Sequence, residues 1–479
     1  MNINIVLYFL GWVLKIEGIL MALPCGIALI YQEKSGFYFL GIGLFCILAG
    51  WLLSRKRPKN TVFYAKEGFV AVALSWIVLS IFGALPFFLS GEIPVFEDAL
   101  FEVISGFTTT GASILSDVEA LSRCMLMWRS FTHWIGGMGV LVFILAVLPL
   151  AGGYNMHIMR AESPGPSVGK LVPKVKLTAT ILYVIYFSMT VLQIVILLCS
   201  GMDWFSAMAM SFGTAGTGGF GILNSSCGSY TTFQQGVFTV FMILFGINFN
   251  VYYLFLIKKP KDAFRCEEMR NYLGIILIST LLIAWNIRNL YPTFFQAFHH
   301  SAFQVASIIT TTGYSTADFD LWPSFSKTIL VAIMFVGACA GSTGGGIKVS
   351  RVAIALKTVK KEMASLLHPR SVKIIKYEEK PIEHTVLRSI NTYLIAYMLI
   401  FAVSVLLISL DNFDPTTNFT AVAATLNNIG PGLAEVGPTR NFGLFSPFAK
   451  YVLMFDMLAG RLELFPMLLL FAPRTWMKE

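Results

Sequence analysis

The chain has 479 residues, of which 56% are hydrophobic and 13% are charged, and its net charge is +9. Soluble domains carry about 25% charged residues, so this composition excludes a soluble protein and predicts a polytopic membrane protein. The lysines and arginines cluster in short stretches between apolar segments, which is the positive-inside pattern and excludes nucleic acid as the expected partner. The seven cysteines form no CxxC pair and no disulfide framework.

Two apolar segments precede the rest of the chain and have no counterpart later. A transmembrane helix needs about 20 apolar residues, and residues 3–31 and 37–53 are long enough. We interpret the first as a retained helix rather than a signal peptide, because no clear cleavage site follows it. The predicted N-terminal pair, residues 1–60, ends in a basic cluster at residues 55–59 that we expect to be cytoplasmic.

A short motif then occurs four times. FEVISGFTTTG at residues 101–111 aligns without a gap with FQVASIITTTG at residues 303–313. Weaker copies are MAMSFGTAGTG at residues 208–218 and TAVAATLNNIG at residues 420–430. Because each copy lies between long apolar segments, the pattern indicates an internal repeat. The predicted repeats cover residues 61–170, 171–265, 266–375 and 376–479.

Each repeat is predicted to contain an outer helix, a helix too short to span, a loop and an inner helix. The predicted helices cover residues 65–89, 96–107 and 123–150; 177–200, 203–212 and 233–257; 272–287, 292–308 and a segment from 325 onward; and 393–410, 415–426 and 448–471. Most acidic residues of the loops fall on the side of the membrane opposite the basic clusters. Because basic clusters mark the cytoplasmic side, this sidedness predicts that both termini are cytoplasmic. Non-helical backbone at membrane depth must be buried or line water. We therefore predict an all-α membrane protein with four pseudo-repeats around one central pore, plus two N-terminal helices.

The four loops have the composition of a cation-selectivity filter. Rings of backbone carbonyls can replace the water around a dehydrated monovalent cation. The glycine that ends each copy permits the backbone angles required, and the short helices direct their partly negative ends at the pore. A small-residue packing motif between helices is the alternative, but four matching copies favour the filter. The candidate filter residues are Thr108, Thr109, Thr110, Gly111, Ala215, Gly216, Thr217, Gly218, Thr310, Thr311, Thr312, Gly313, Asn427, Asn428, Ile429 and Gly430.

The third inner segment is interrupted by the sequence GSTGGG at residues 341–346. It is not a Walker phosphate loop, because Gly346 is followed by Ile347 rather than lysine and no strand precedes it. A helix kink at the glycines and a flexible intramembrane loop that obstructs the pore are the two interpretations.

Arg461 lies within the fourth apolar inner segment. An arginine at bilayer depth costs about 2.5–3.5 kcal/mol and is therefore a functional candidate. A structural salt bridge to Glu463 or Asp456 is the alternative, and Asp456 can face either the pore or a neighbouring helix.

Four further motifs accompany the filter glycines: WIGGMG (134–139), GTGGFG (216–221), CAGSTGGGIK (339–348) and LAGRLELFP (458–466). With these motifs, nearly the whole chain resembles the Trk/Ktr/HKT superfamily of potassium transporters. The two leading helices resemble the TrkH-type subunits rather than the KtrB branch. The resemblance implies transport of K⁺, because a serine at the position of Gly111 accompanies Na⁺ transport in this superfamily. It also implies that the intramembrane loop and the arginine form a gate. The candidate gate residues are Gly341, Ser342, Thr343, Gly344, Gly345, Gly346 and Arg461.

The resemblance further implies a homodimer in the inner membrane of a prokaryote. It implies a cytosolic nucleotide-binding ring of the TrkA type, docked on the basic stretch at residues 348–388; a lipid-surface patch is the alternative. No cofactor is expected in this chain, because it has no nucleotide motif, and an enzyme is excluded because no nucleophile–base pair or metal cluster occurs at membrane depth. Arg129 and His133 are predicted to brace a pore helix.

Two transport functions stay open. The first is a channel-like K⁺ uptake subunit that also passes Rb⁺ and, less well, Na⁺, because repeats two and four (AGTG and NNIG) depart from the TTTG of repeats one and three. The second is a K⁺/H⁺ or K⁺/Na⁺ symporter, for which Asp456 and Glu463 are among the few carboxylates available at membrane depth.

Overall fold

The computed structural model describes residues 2–56, 65–139, 175–368 and 374–477. These residues form helices and one two-stranded hairpin, in which Lys376–Tyr377 (β1) pairs with Lys380–Pro381 (β2). In the described part of the chain six helices are long and apolar enough to cross a membrane, or seven if one bent pair counts as a span. The predicted all-α membrane architecture is therefore confirmed.

The N-terminal pair consists of α1 (Ile3–Leu20), α2 (Ala22–Tyr31) and α3 (Gly36–Ser54). Helices α1 and α2 together make one span of 29 residues. Small residues allow α1 and α3 to touch. A Cβ at Gly18 would overlap the backbone carbonyl of Gly43, and a Cβ at Gly50 would overlap that of Gly11. The first apolar segments thus pack as a close helical hairpin.

Repeat one contains the outer helix α4 (Ala65–Ser90), the pore helix α5 (Phe96–Phe107) and the inner helix α6 (Arg123–Gly137). The bounds of α5 agree with the prediction. The prediction of one inner helix over residues 123–150 was wrong, because α6 ends at Gly137 and Gly139 has a φ of 74°. Residues 140–150 lie outside the described residues.

Repeat two contains α7 (Val175–Cys199), the pore helix α8 (Trp204–Gly216), α9 (Thr232–Phe245), α10 (Phe249–Leu256) and the short α11 (Pro260–Arg265). The prediction of one inner helix over residues 233–257 was wrong, because α9 and α10 meet at 88°. Asn248 caps α10 by accepting the N–H of Asn250 at 2.9 Å, as helix-starting asparagines do. The carbonyl of Gly246, freed at the break, accepts the N–H of Cys339 at 3.1 Å.

Repeat three contains α12 (Glu267–Ile287), the pore helix α13 (Phe294–Ile309), α14 (Ser324–Val336) and α15 (Val349–Leu367). The interruption between α14 and α15 runs over residues 337–348, which is longer than the predicted glycine run. The β-hairpin follows α15 and leads into repeat four.

Repeat four contains α16 (His384–Ile408), the pore helix α17 (Pro415–Leu426), α18 (Pro447–Arg461), α19 (Phe465–Phe471) and α20 (Pro473–Trp476). The prediction of one inner helix over residues 448–471 was also wrong. Glu463 and Leu464 have φ angles of 62° and 66°, so the helix stops there. Pro466 explains the break, because proline lacks the N–H that a continuing helix needs and restricts the residue before it.

Short 3-10 helices occur in the connecting loops, at Arg288–Leu290, Phe319–Leu321, Ser409–Asp411, Ala434–Val436 and Phe442–Leu444. The ends of the inner helices contact one another or the intramembrane loop. Thr343 Oγ1 donates to Phe245 O at 3.2 Å, and Arg461 donates to Gly137 O at 2.8 Å. The inner helices therefore end in one layer of contacts, directly below the four pore-helix loops.

Candidate ion-selectivity filter and gate

The loops that follow the four pore helices share one backbone conformation. Thr109, Thr217, Thr311 and Asn428 have φ angles of 55°, 54°, 59° and 56°, in the left-handed region that non-glycine residues seldom adopt. The N–H of each following residue donates to the carbonyl five positions earlier, at 2.8 to 2.9 Å. The same turn therefore ends each pore helix.

This shared turn corrects the alignment of repeat two by one residue. The next positive φ angles are at Gly111 (80°), Gly219 (77°), Gly313 (86°) and Gly430 (97°). Gly219 therefore matches Gly111, and the loop of repeat two is residues 216–219 rather than residues 215–218. Ala215 lies inside α8, buried in an apolar cluster. The sequence alone could not reveal this one-residue shift. GTGG contains three glycines, so either Gly218 or Gly219 can be aligned with Gly111.

The four glycines close a ring. A Cβ at Gly111 would overlap the carbonyl oxygen of Gly218, one at Gly219 that of Thr312, and one at Gly313 that of Ile429. A Cβ at Gly430 would lie 2.9 Å from Thr110 O, so the loop of repeat four contacts the loop of repeat one. Each glycine thus packs against the carbonyl that precedes the glycine of the next repeat. The four loops surround a common axis in chain order.

The polar side chains of the loops are mostly turned back into the structure. Thr108 Oγ1 donates to Ile104 O at 2.6 Å, and Thr310 Oγ1 donates to Ala306 O at 2.6 Å. In repeat four Asn427 Nδ2 makes the equivalent bond to Ala423 O at 2.8 Å. The amide thus replaces the threonine hydroxyl as donor to the carbonyl four residues earlier. Because these side chains lie back against their own pore helices, the backbone carbonyls are the main candidate ligands.

The outer mouth of the ring is open. A cavity of about 210 Å³ is lined by all four loop glycines, Gly111, Gly219, Gly313 and Gly430. Arg440 and Asn441 of the last outer loop also line it. The ring therefore has an accessible face on one side.

Arg129 and His133 of α6 contact pore helix α5, which confirms the predicted brace. Arg129 Nε donates to Glu102 Oε1, and Arg129 Nη1 donates to Gly221 O at 2.8 Å. His133 Nδ1 lies 2.8 Å from Gly106 O, and its Nε2 accepts the N–H of Phe220 at 3.2 Å. Both side chains thus join repeat one to the backbone just beyond the loop of repeat two.

Residues 337–348 form a loop directly beneath the ring. A Cβ at Gly344 would lie 2.9 Å from Thr310 O, and one at Gly345 would lie 2.6 Å from Asn427 O. The N–H of Gly345 donates to Thr311 Oγ1 at 2.6 Å. A simple kink is excluded, because Gly337, Gly341 and Gly346 have φ angles of 73°, 70° and 77° and the chain is not helical between them. The glycines allow this backbone to lie against the carbonyls of the candidate filter.

Arg461 reaches across the same layer. Its Nη1 donates to Thr343 O at 2.8 Å, and its Nη2 donates to Gly137 O at 2.8 Å and to Gly136 O. The carboxylates considered as its partners lie elsewhere: Glu463 pairs with Arg351, and Asp456 accepts a bond from Ser404 Oγ at 2.7 Å. Since Ser404 belongs to the outer helix α16, Asp456 faces a neighbouring helix.

A family model described as "Cation transport protein", TrkH, matches residues 35–290 and 291–478. The chain belongs to the TrkH family. This membership confirms the predicted family and the prediction of a transporter rather than an enzyme. The chain is a multi-pass membrane protein.

Relatives of this TrkH-family chain match it over almost its full length. The Trk system potassium uptake protein TrkH of Escherichia coli (strain K12) is 36% identical over 467 residues, 95% of each chain. The protein of the same name from Vibrio parahaemolyticus is 35% identical and covers 99% of this chain and 100% of its own. The crystal structure of the potassium transporter TrkH from Vibrio parahaemolyticus superposes with a TM-score of 0.89 at 32% identity, covering 100% of both chains.

Sequence reasoning missed two residues of the site in this TrkH-family chain. Glu102, fully buried in α5, receives the bond of Arg129 and also that of Ile114 N at 3.0 Å. Lys348, 1% exposed, donates to Gly344 O inside the intramembrane loop. The sequence did contain a signal for each residue. Glu102 is a charged residue in a short apolar helix, and Lys348 is a charged residue just after a glycine run.

Proposed function

We propose that this chain is the pore-forming subunit of a potassium uptake system. K⁺ passes inward through the ring of backbone carbonyls at residues 108–111, 216–219, 310–313 and 427–430. The observation that carries the proposal is the ring itself, in which each loop glycine packs against the carbonyl of the next loop. The relatives named as potassium uptake proteins and the glycine at position 111 support K⁺ as the ion.

The inward flow is driven by the membrane potential, which supplies about 2.3 kcal/mol per charge per 100 mV. Repeats one and three share the loop TTTG, whereas repeats two and four read GTGG and NNIG, so the groups that support the carbonyls differ around the ring. We infer that Rb⁺ passes as well and Na⁺ passes less well, with weaker discrimination than in a filter of four identical loops.

The gate in this proposal is the loop at residues 337–348 together with Arg461. The loop lies under the carbonyls of repeats three and four, so it obstructs the path. The guanidinium beside it adds a positive charge that repels an entering cation. Both obstacles belong to the same hydrogen-bonded layer, since Arg461 bonds Thr343 O.

The surroundings of the subunit are also part of the proposal. We place it in the inner membrane of a prokaryote, with both termini cytoplasmic, as a homodimer that binds a cytosolic nucleotide-binding ring of the TrkA type. Helix α15 offers a surface for such contacts, because Leu356, Val359 and Met363 are exposed among its lysines. K⁺ is the cargo, and no resident cofactor is included.

A coupled K⁺/H⁺ or K⁺/Na⁺ symporter receives less support. The two carboxylates considered for coupling are engaged elsewhere, Asp456 with Ser404 and Glu463 with Arg351.

The test is Rb⁺ flux and reversal potential in proteoliposomes of the purified chain, with K⁺, Na⁺ and pH varied separately. We expect a reversal potential that does not depend on pH and that follows the K⁺ gradient more steeply than the Na⁺ gradient, because Na⁺ permeates less. A reversal potential that moves with pH at constant K⁺ and Na⁺, or that depends on Na⁺ as steeply as on K⁺, would support the symporter instead.

A further inference from the structure

A buried carboxylate at the start of α12 contacts the intramembrane loop from the side. Glu268 is 3% exposed and lies in the first turn of the outer helix of repeat three. It is not one of the residues assigned above to the filter or the gate. Burying a carboxylate is costly unless hydrogen bonds compensate it, so its partners indicate what it does.

One oxygen of Glu268 joins the two ends of the loop. Glu268 Oε1 accepts the N–H of Ala340 at 2.7 Å and the N–H of Ser350 at 3.2 Å. Ala340 precedes the glycine run, and Ser350 lies in the first turn of α15, just after it. The other oxygen, Oε2, lies 3.5 Å from Nδ2 of Asn248, at the break between α9 and α10.

The same break holds the start of the loop. The N–H of Phe249 donates to Gly341 O at 3.0 Å, and the N–H of Cys339 donates to Gly246 O at 3.1 Å. Glu268 therefore connects three segments that lie far apart in sequence: the break in repeat two, the start of the loop and the helix after it.

The backbone of Glu268 is itself fixed from the cytoplasmic hairpin. Its N–H donates to Glu378 Oε1 at 3.1 Å. Glu378 and Glu379 form the tip of the hairpin with φ angles of 51° and 62°, a conformation that Asn-Gly pairs usually adopt. The hairpin thus presents a carboxylate to the N-terminus of α12, where negative charge is favourable.

We propose that Glu268 is a positioning residue for the gate, whose carboxylate fastens both ends of the intramembrane loop to the end of α12. Hydrogen bonds to an ionised acceptor are about twice as strong as neutral ones. The glycine-rich loop has many alternative conformations, and this tie selects the one beneath the filter. The effect on flux rests on the proposed function, whereas the effect on loop position does not.

Two native thiols allow the test in the full-length chain. Cys339 lies in the loop and Cys227 lies near the outer mouth, and both are fully buried. The rate at which a small water-soluble maleimide modifies each thiol is measured by peptide mass spectrometry, together with basal Rb⁺ flux in proteoliposomes. Glu268→Ala is expected to raise the Cys339 rate and the flux by about tenfold or more, because two buried N–H groups lose their acceptor, and to leave the Cys227 rate unchanged.

Glu268→Gln keeps one oxygen that can accept both N–H groups, so its Cys339 rate should fall between those of the wild type and Glu268→Ala. The matched control is Glu267→Gln, on the same helical turn. Glu267 pairs with Lys357 and accepts the N–H of Glu378 at 3.4 Å. Glutamine removes the charge and keeps an oxygen for that N–H, so the control should leave the Cys339 rate at the wild-type value.

A wild-type Cys339 rate in Glu268→Ala overturns the proposal. A parallel rise at Cys227 also overturns it, because the residue would then support the fold in general. A faster Cys339 reaction without a rise in flux supports the positioning role and counts against the loop as the gate.

Discussion

At the scale of single residues, the ring depends on a left-handed residue followed two positions later by a glycine. Threonine or asparagine occupies the left-handed position in the four loops. Asparagine tolerates this conformation because its side chain can bond locally, whereas each threonine is held by the turn around it. The glycine is needed for a second reason, because a neighbouring carbonyl occupies the space where a Cβ would lie. Glycine is therefore required at these positions both by the positive φ angle and by the short distance to the neighbouring carbonyl.

Gly219→Ala tests the corrected register of repeat two. The new Cβ would overlap Thr312 O, so we expect Rb⁺ flux to fall by about tenfold or more or K⁺/Na⁺ discrimination to be lost. Flux and reversal potential in proteoliposomes measure both.

Gly91→Ala is the matched control for this substitution. Gly91 has a φ of 78°, close to the 77° of Gly219, and a Cβ there would meet nothing within 4 Å. It carries the same backbone strain, about 1–2 kcal/mol, without the close approach. Equal effects of the two substitutions would contradict the proposed role of Gly219.

Thr311→Val tests the link between filter and loop. Valine has the shape of threonine but cannot accept the N–H of Gly345. An unsatisfied buried N–H costs about 1–3 kcal/mol, so we expect basal Rb⁺ flux to rise by roughly tenfold. Thr109→Val is the comparison, because the Thr109 hydroxyl is buried without a hydrogen-bond partner. A rise in flux of the same size in Thr109→Val would argue against the link.

At the scale of elements, the ends of the inner helices supply polar groups to the layer that contains the intramembrane loop and Arg461. A helix end exposes carbonyl and N–H groups that need partners. Gly246 O and the N–H of Phe249 bond the intramembrane loop, and Gly136 O and Gly137 O accept from Arg461. The breaks therefore hold the loop in place.

Arg461→Ala tests this layer. The substitution removes the bonds to Thr343 O, Gly136 O and Gly137 O and removes a positive charge next to the path. We expect basal Rb⁺ flux to rise by about tenfold or more. Arg461→Lys keeps the charge but lacks the planar guanidinium, so its flux should lie between those of the wild type and Arg461→Ala.

Arg288→Ala is the control for Arg461. Arg288 is exposed in the 3-10 helix after α12 and lies over the ring of Trp285, and it does not line the outer mouth. An exposed cation–π contact contributes about 0.5–1 kcal/mol, so its flux should stay within about twofold of the wild type. The gating role of Arg461 is refuted if Arg461→Ala also stays at the wild-type flux.

At the scale of the whole molecule, polar ties close the ring of repeats and attach the N-terminal pair. Lys450 of α18 pairs with Asp98 of α5 at 2.5 Å, which joins repeat four to repeat one. Asn428 Nδ2 makes a second link, to Thr110 Oγ1 at 3.0 Å. Glu33, between α2 and α3, accepts the N–H groups of Arg123 and Cys124 at 2.7 and 2.8 Å.

Glu33→Ala tests whether the N-terminal pair supports the pore only mechanically. The carboxylate caps the start of α6, and losing such a cap costs about 0.5–2 kcal/mol. We expect a lower melting temperature in detergent, with an unchanged K⁺/Na⁺ permeability ratio. Glu435→Ala, in an exposed ion pair, should leave the melting temperature unchanged. An altered permeability ratio in Glu33→Ala would show that the pair acts on the filter.

Much of the fold could be predicted, because long apolar runs and repeated motifs are local signals. The bounds of α5 and α17 agree with the prediction to the residue, since a polar turn precedes each helix and the loop motif follows it. The breaks at residues 246–248 and 462–464 were missed. They lie within apolar stretches, and the partners that stabilise them come from other repeats.

The sequence by itself determined the membrane class and the family, and it predicted the four repeats and the candidate filter loops. Apolar length and repeated glycines are enough for these conclusions. Only the tertiary structure decided which glycine of GTGG belongs to the ring, what Arg461 and Asp456 contact, and that Glu268 bonds both ends of the loop. Each of these depends on contacts between residues far apart in the chain, such as Gly219 with Thr312 O and Glu268 with Ala340, which no local pattern encodes.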